Sequence, residues 1–178
     1  MQFQSDPTLR LTQGKVDVDG YPEAPRLQKF SDYVSLGNKE AAEESVDQGI
    51  ALLSCNGQLP SWWQNKEKRG VAAVAFGFED LELAHPDEKE TMLLQAVSFV
   101  SLMAGNHRDV LVYCDRGSSR SVAVLSYYLA KSWRLTFGEA LAEVMSRVEW
   151  AAPSLGMIEL AVRSWTKWGG YDGGGYDE

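Results

Sequence analysis

The stretch Asp109-Val-Leu-Val-Tyr-Cys-Asp-Arg-Gly-Ser-Ser-Arg-Ser-Val122 passes from an apolar, β-branched run to a loop of small residues and then to a helical pattern. A strand that empties into a loop and a helix puts that loop at the carboxyl edge of an α/β sheet. Cys114 ends the run, Gly117 lies three residues on, Arg120 six residues on, and Ser121 follows directly. Each residue type has a task there. Successive backbone N–H groups closing onto a helix N-terminus form a concave anion site, because those donors lack intrahelical partners and the helix dipole is positive at that end. Gly117 lets the backbone curl without a Cβ clash. Arg120 offers a planar fork of donors that fits two phosphate oxygens and stays charged at any working pH. The same field favours thiolate over thiol at Cys114, and the thiolate is the nucleophilic form. A lone cysteine at a strand end is ordinarily a small buried hydrophobe. The glycine, arginine and hydroxyl at these offsets point instead to a site for a phosphate-like anion.

Composition narrows what such a site serves. The 178 residues suit one domain large enough to bury a core. A net charge of −8 argues against nucleic acid or an anionic membrane as partner, since the long-range field repels both. No apolar run approaches the roughly 18 residues that cross a bilayer, and the polar start Met-Gln-Phe-Gln-Ser-Asp-Pro is no secretory signal. The expectation is a soluble, cytoplasmic protein, with the nucleus also open to it. Cys55 and Cys114 are too few for a disulfide framework, and with His85 and His107 as the only histidines no zinc cluster is apparent. Neither a metal nor a cofactor is expected.

Taken in order, 1–29 is polar, carries Pro7, Pro22 and Pro25, and reads as a partly ordered arm. Ser31–Leu36 reads as a strand, with Asn38 capping a helix from Lys39 to about Val46, and Ile50–Ser54 as a buried strand. Cys55–Lys68 is a polar connection in which Trp62 and Trp63 either pack under a loop or reach the substrate. Val71–Phe76, a near-continuous apolar run, is the best candidate for a central strand. Periodicity predicts helices from Asp87 to about Ala104, from about Ser118 to Ser132, from a Thr136 cap with Glu139 as its capping-box partner to Val148, and from Pro153 through Trp165. The Gly/Tyr/Asp tail, 169–178, reads as disordered. The fold class is α/β: a single domain, 30–168, with a twisted mixed sheet of four to five strands flanked by helices.

At the loop, Tyr-Cys-Asp-Arg-Gly-Ser-Ser-Arg-Ser resembles the signature His-Cys-x-x-Gly-x-x-Arg-Ser/Thr of the cysteine-dependent protein phosphatases, in particular the small dual-specificity branch. Supporting segments fall in the family's order between about Asp32 and Trp165: Asp-Tyr-Val-Ser-Leu-Gly-Asn-Lys-Glu-Ala-Ala, Gln-Gly-Ile-Ala-Leu-Leu-Ser, Phe-Glu-Asp, the loop, and Leu-Ser-Tyr-Tyr-Leu-Ala-Lys. The resemblance implies hydrolysis of phosphotyrosine and phosphoserine or phosphothreonine in proteins through a cysteinyl-phosphate. It makes Cys114 the nucleophile and has Arg120 hold the phosphoryl group with the backbone of Asp115, Arg116, Gly117, Ser118 and Ser119. Ser121 would assist release from the sulfur. It assigns the general acid to Asp80, 34 residues before Cys114, with Glu79, Glu82 and Asp87 as competitors; a leaving alkoxide or phenoxide needs that proton. Cys55 would be either a redox partner for Cys114, as in the lipid-phosphatase branch, or ordinary core filling.

Three residues depart from the pattern. Tyr113 stands where histidine is usual, which predicts a less acidic thiol and a slower enzyme. Asp115 brings a carboxylate into the loop, opposing thiolate and phosphate unless it points outward, and so favours phosphoproteins over highly phosphorylated lipid headgroups. Ser154 replaces a loop-bracing asparagine. These changes keep a second class open: a weakly active or inactive phosphatase-like module that binds phosphorylated partners.

Overall fold

The computed structural model describes residues 24–65, 67, 72–78 and 85–169. Among them, five strands form one sheet in the order β1-β2-β5-β3-β4. These are β1 (Leu27–Lys29), β2 (Val34–Asn38), β3 (Ala51–Ser54), β4 (Ala73–Ala75) and β5 (Val110–Cys114). β1 runs antiparallel to β2 and the other pairings are parallel, so the sheet is mixed. Five helices accompany it: α1 (Lys39–Glu44), α2 (Pro86–Gly105), α3 (Arg120–Trp133), α4 (Phe137–Arg147) and α5 (Leu155–Trp168).

Alternation along the strands divides the core. Val110, Val112 and Cys114 of β5 join Val34, Leu36, Ala51, Leu53 and Cys55 in the main core, covered by the long helices. Leu111 and Tyr113 face the other way, meeting Leu52, Ala41 and Ala42 under α1. Side chains two apart on a strand share a face, so consecutive residues Tyr113 and Cys114 serve opposite layers. β5 is fully buried, as its unbroken apolar run requires of a strand covered on both faces.

One expectation about the sheet is corrected. The run Val71–Phe76 was the expected central strand, yet β4 lies at the edge and β5 at the centre. Hydrophobicity alone measures burial, and neighbouring loops bury an edge strand too; here Val74 and Phe76 pack on the main core. Leu27–Lys29, at the end of the arm expected to be partly ordered, pairs with Ser35–Gly37 as β1. Its exposed Leu27 and Lys29 suit an edge, where one side of the ladder stays solvated.

The helices start where their caps dictate. The side chain of Asn38 accepts from Ala41 N, opening α1. Thr136 and Glu139 close the expected capping box at α4. α2 buries Leu93, Ala96, Val97 and Val100, and with them Glu90, whose carboxylate is held by Arg163 and Lys167 of α5. That ion cluster ties two helices together behind the loop.

Candidate active site

The loop between β5 and α3 is built by what surrounds its outer side. The carbonyl of Asp115 accepts from Lys39 N at 3.3 Å, that of Gly117 from Trp150 Nε1 at 3.1 Å and that of Ser118 from Ala152 N at 2.7 Å. The carbonyl of Arg116 faces Arg26 Nη1 at 3.4 Å. In a trans peptide the N–H points opposite to the C=O. Drawing four successive carbonyls outward therefore turns the N–H groups of residues 116–119 toward the concave side, where the orientation favours an anion. The concavity holds about 400 Å³ and is lined by Cys114, Asp115, Arg116, Ser118, Ser119, Arg120 and Ala152.

Gly117 is the pivot of this curl. Its φ of +67° is in the left-handed region, and a Cβ there would lie 2.7 Å from the Gly37 carbonyl oxygen and 3.1 Å from Asn38 N. The loop thus rests directly on the backbone at the end of β2. Gly37 is tight for the same reason, since a Cβ on it would stand 2.8 Å from the carbonyl oxygen of Arg26. Asn38 secures the other side, donating to the carbonyl of Ala24 and accepting from Arg26 N at 2.8 Å. Arg26 is buried and also stacks over the Trp150 ring at 5.8 Å.

Cys114 sits at the floor with its Sγ 3.2 Å from Ser121 Oγ. Both belong to buried positions at the point where β5 ends and the first turn of α3 begins. Arg120, the first residue of α3, directs its guanidinium across the pocket: Nη2 donates to Asp115 Oδ2 at 2.5 Å, and Nη1 lies 3.5 Å from the carbonyl of Phe78. The other carboxylate oxygen of Asp115 accepts from Asn56 Nδ2 at 2.7 Å, and Asn56 accepts in turn from Ser54 Oγ at 2.6 Å. Asp115 therefore neither points outward nor opposes the site unpaired, as the sequence left open. Burial pushes its carboxyl up, but the Asn56 and Arg120 hydrogen bonds outweigh that and hold it below the usual carboxylate range.

Solved phosphatase structures share this architecture. The crystal structure of human DUSP28 matches with a TM-score of 0.66 and 24% identity, covering 82% of this chain and 97% of that one. A mouse putative dual specificity phosphatase complexed with zinc tungstate matches at 0.64 and 23%, covering 87% and 93%. The fold is that of the dual-specificity phosphatases. Human tyrosine phosphatase-like serine/threonine/tyrosine-interacting protein has the same fold at 0.65 and 18% identity, covering 80% of this chain and 97% of that one. In sequence, 68 residues are 38% identical to Dual specificity protein phosphatase 12 of Rattus norvegicus, 36% of this chain and 20% of that protein. The match thus spans about a fifth of that relative's length. No family model matches the chain.

Within the dual-specificity phosphatase fold, the expected site residues Cys114, Arg116, Gly117, Ser118, Ser119, Arg120 and Ser121 converge as a loop and its helix start. Asp80, Glu79 and Glu82 lie outside the described residues. Asp87, the remaining competitor for the acid, is on the first turn of α2 and pairs with Arg163 at 3.0 Å, a helix-start residue. Tyr113 faces the second core layer and donates its hydroxyl to the Gln58 carbonyl at 2.7 Å, fastening the connection after β3. Burial pushes its phenol well above the ordinary tyrosine range.

The role expected for position 154 moves to the backbone. Ser154 Oγ caps α5 by accepting from Met157 N, while Ser154 N donates to Ser119 Oγ at 2.9 Å. Trp62 and Trp63 pack in a short 3₁₀ turn under α1 with their rings tilted at 59° and 5.7 Å apart, and Trp62 Nε1 donates to the Ala42 carbonyl. Cys55 directly follows the β3–β5 pair Ser54–Tyr113 and packs in the same core layer as Cys114. Neighbouring strands stand about 4.8 Å apart, inside the Cα range of a disulfide; both cysteines are free. Burial, and the neighbouring Cys114, push the Cys55 thiol well above its ordinary value.

Sequence reasoning missed Arg26, Asn56 and Trp150, which hold the loop or its carboxylate. No local signal marks them, because each acts across more than thirty residues of chain or from an unremarkable loop. Among the described residues no group of His, Cys, Asp and Glu is arranged to hold a metal, and no helix is long and apolar enough to cross a membrane.

Proposed function

We propose that this chain is a cysteine-dependent phosphatase that hydrolyses phosphotyrosine and phosphoserine or phosphothreonine in proteins through a cysteinyl-phosphate. The observation that carries this reading is Cys114 Sγ at the floor of a pocket whose loop carbonyls are all drawn outward, with the Arg120 guanidinium across the same pocket. The Cys114 thiolate attacks phosphorus, forming the S–P bond as the ester P–O bond breaks. The leaving oxygen takes its proton from Asp80. Water, giving a proton to the Asp80 carboxylate, then attacks phosphorus and the S–P bond breaks. Ser121 Oγ, 3.2 Å from the sulfur, stabilises the departing thiolate. The backbone donors and Arg120 supply the charge stabilisation that such transfers chiefly depend on. A cytoplasmic setting and a phosphorylated protein as partner belong to this reading, and Cys55 is its redox partner for the nucleophile.

The test is hydrolysis of para-nitrophenyl phosphate by wild type beside Cys114→Ser and Asp80→Asn. Wild-type turnover abolished by the first and strongly reduced by the second supports the enzyme. The Asp115 carboxylate seated on Arg120 favours a second reading, a phosphatase-like module that binds phosphorylated partners. Equal, negligible rates with retained phosphopeptide binding select that module. Tyr113 supplies no imidazole to the loop, so turnover of para-nitrophenyl phosphate is expected to rise in Tyr113→His; an unchanged rate removes the reason to expect slow turnover.

A further inference from the structure

The Asp115 carboxylate lines the pocket together with Cys114 and Arg120. Oδ2 is 2.5 Å from Arg120 Nη2, and Oδ1 is fixed by Asn56, itself held by Ser54 Oγ and by Gln58 N. Both oxygens are thus locked by a chain of hydrogen bonds that begins at the end of β3, which distinguishes this pair from a mobile surface salt bridge. The side chain is nonetheless 48% exposed, so its charge is accessible from solvent. A guanidinium that grips a phosphoryl group needs its fork of N–H donors, and here one arm is already on a carboxylate.

Resting on the phosphatase reading above, we propose that Asp115 is a specificity-determining residue: a built-in competitor for Arg120 that admits a single phosphoryl group and rejects substrates carrying a second anionic group beside it. A phosphoryl dianion must share or displace the carboxylate, and it does so while the loop amides and α3 dipole compensate. A second anion, such as a vicinal phosphate or a flanking glutamate, meets the Asp115 carboxylate while one arm of Arg120 is already engaged. Like unit charges about 4 Å apart change an equilibrium about fivefold even in water, and more where solvent is partly excluded. The substrate class is therefore an isolated phosphomonoester with neutral or basic neighbours.

The experiment titrates inorganic phosphate into wild type, Asp115→Asn and Asp115→Ala by calorimetry. It also compares binding of two phosphotyrosine peptides, one flanked by lysines and one by glutamates, using Cys114→Ser backgrounds to prevent turnover. Asparagine keeps an acceptor for Asn56 and removes only the charge; alanine removes both. The expected result is phosphate bound at least tenfold tighter by both variants, with the preference for the lysine-flanked peptide reduced at least threefold. Wild-type binding that stays unchanged or weakens in Asp115→Asn overturns the inference while leaving the anion site standing, because Asp115 would then be only a brace for Arg120. Tightening in neither variant with loss in Asp115→Ala has the same meaning. Absence of phosphate binding in all three proteins overturns the anion-site reading, and this inference falls with it.

Discussion

Replacing Gly117 with alanine isolates the contact on which the loop turns. At φ +67° a residue bearing Cβ is strained by about 1–2 kcal/mol. The new Cβ would also stand 2.7 Å from the carbonyl oxygen and 2.8 Å from the carbonyl carbon of Gly37, and 3.1 Å from Asn38 N. All three are backbone atoms at the end of β2, so no side-chain rotamer relieves them. Overpacking of this kind adds a further 1–2 kcal/mol, giving roughly 2–4 kcal/mol in all. For a domain of this size that lowers Tm by roughly 5–15 °C. Relief by another route is available if the loop peels away from β2. In that case the Lys39 N and Trp150 Nε1 bonds to its carbonyls open, stability recovers in part, and the amides no longer converge. Thermal unfolding with and without millimolar inorganic phosphate separates the two, because a ligand stabilises only the state that binds it. Either Tm falls by the stated amount or the phosphate-induced rise disappears. A variant matching wild type within about 1 °C and keeping the full phosphate-induced shift would refute the assignment of Gly117 as the pivot.

Three further outcomes follow from the same geometry. Trp150→Phe leaves the Gly117 carbonyl without its indole donor while keeping a ring face for Arg26; a loss of about 1–2 kcal/mol in urea unfolding is expected, with weaker phosphate binding, and unchanged affinity would show that the loop needs no outer cap there. Glu90→Gln tests the α2–α5 cluster: burial raises the Glu90 carboxyl, but the Arg163 and Lys167 hydrogen bonds win and hold it below the ordinary range. Its contribution is therefore present above the unfolded glutamate pKa and lost as pH falls through the lower folded value. Replacement should cost about 1–2 kcal/mol near neutral pH, with partly exposed partners moderating the loss, and flatten the acid limb of stability against pH; parallel limbs in both proteins would contradict the assignment. Hydrogen peroxide should convert Cys114 to a sulfenic acid, whose sulfur the Cys55 thiolate attacks, breaking the S–O bond and expelling hydroxide to leave a disulfide. Because the Cys55 thiol is raised, cross-linking should accelerate with rising pH, as read by non-reducing peptide mapping; only higher oxides of Cys114 at alkaline pH would exclude the pair.

The sequence by itself determined what is local or periodic. The β-branched run that becomes β5, the offsets of Cys114, Gly117, Arg120 and Ser121, the Asn38 cap and the Thr136–Glu139 capping box are each settled by interactions within a few residues, which is why each was legible. The tertiary structure decided everything that depends on which strands lie side by side. It placed Ala73–Ala75 at an edge and made a strand of Leu27–Lys29, because ladder order is set by chain crossovers rather than by hydrophobicity. It also turned Asp115 onto Arg120 through Asn56, 59 residues away in the chain. And it brought Arg26 and Trp150 behind the loop, where hydrogen bonds from residues distant in sequence orient the carbonyls outward and so aim the amides at whatever anion enters.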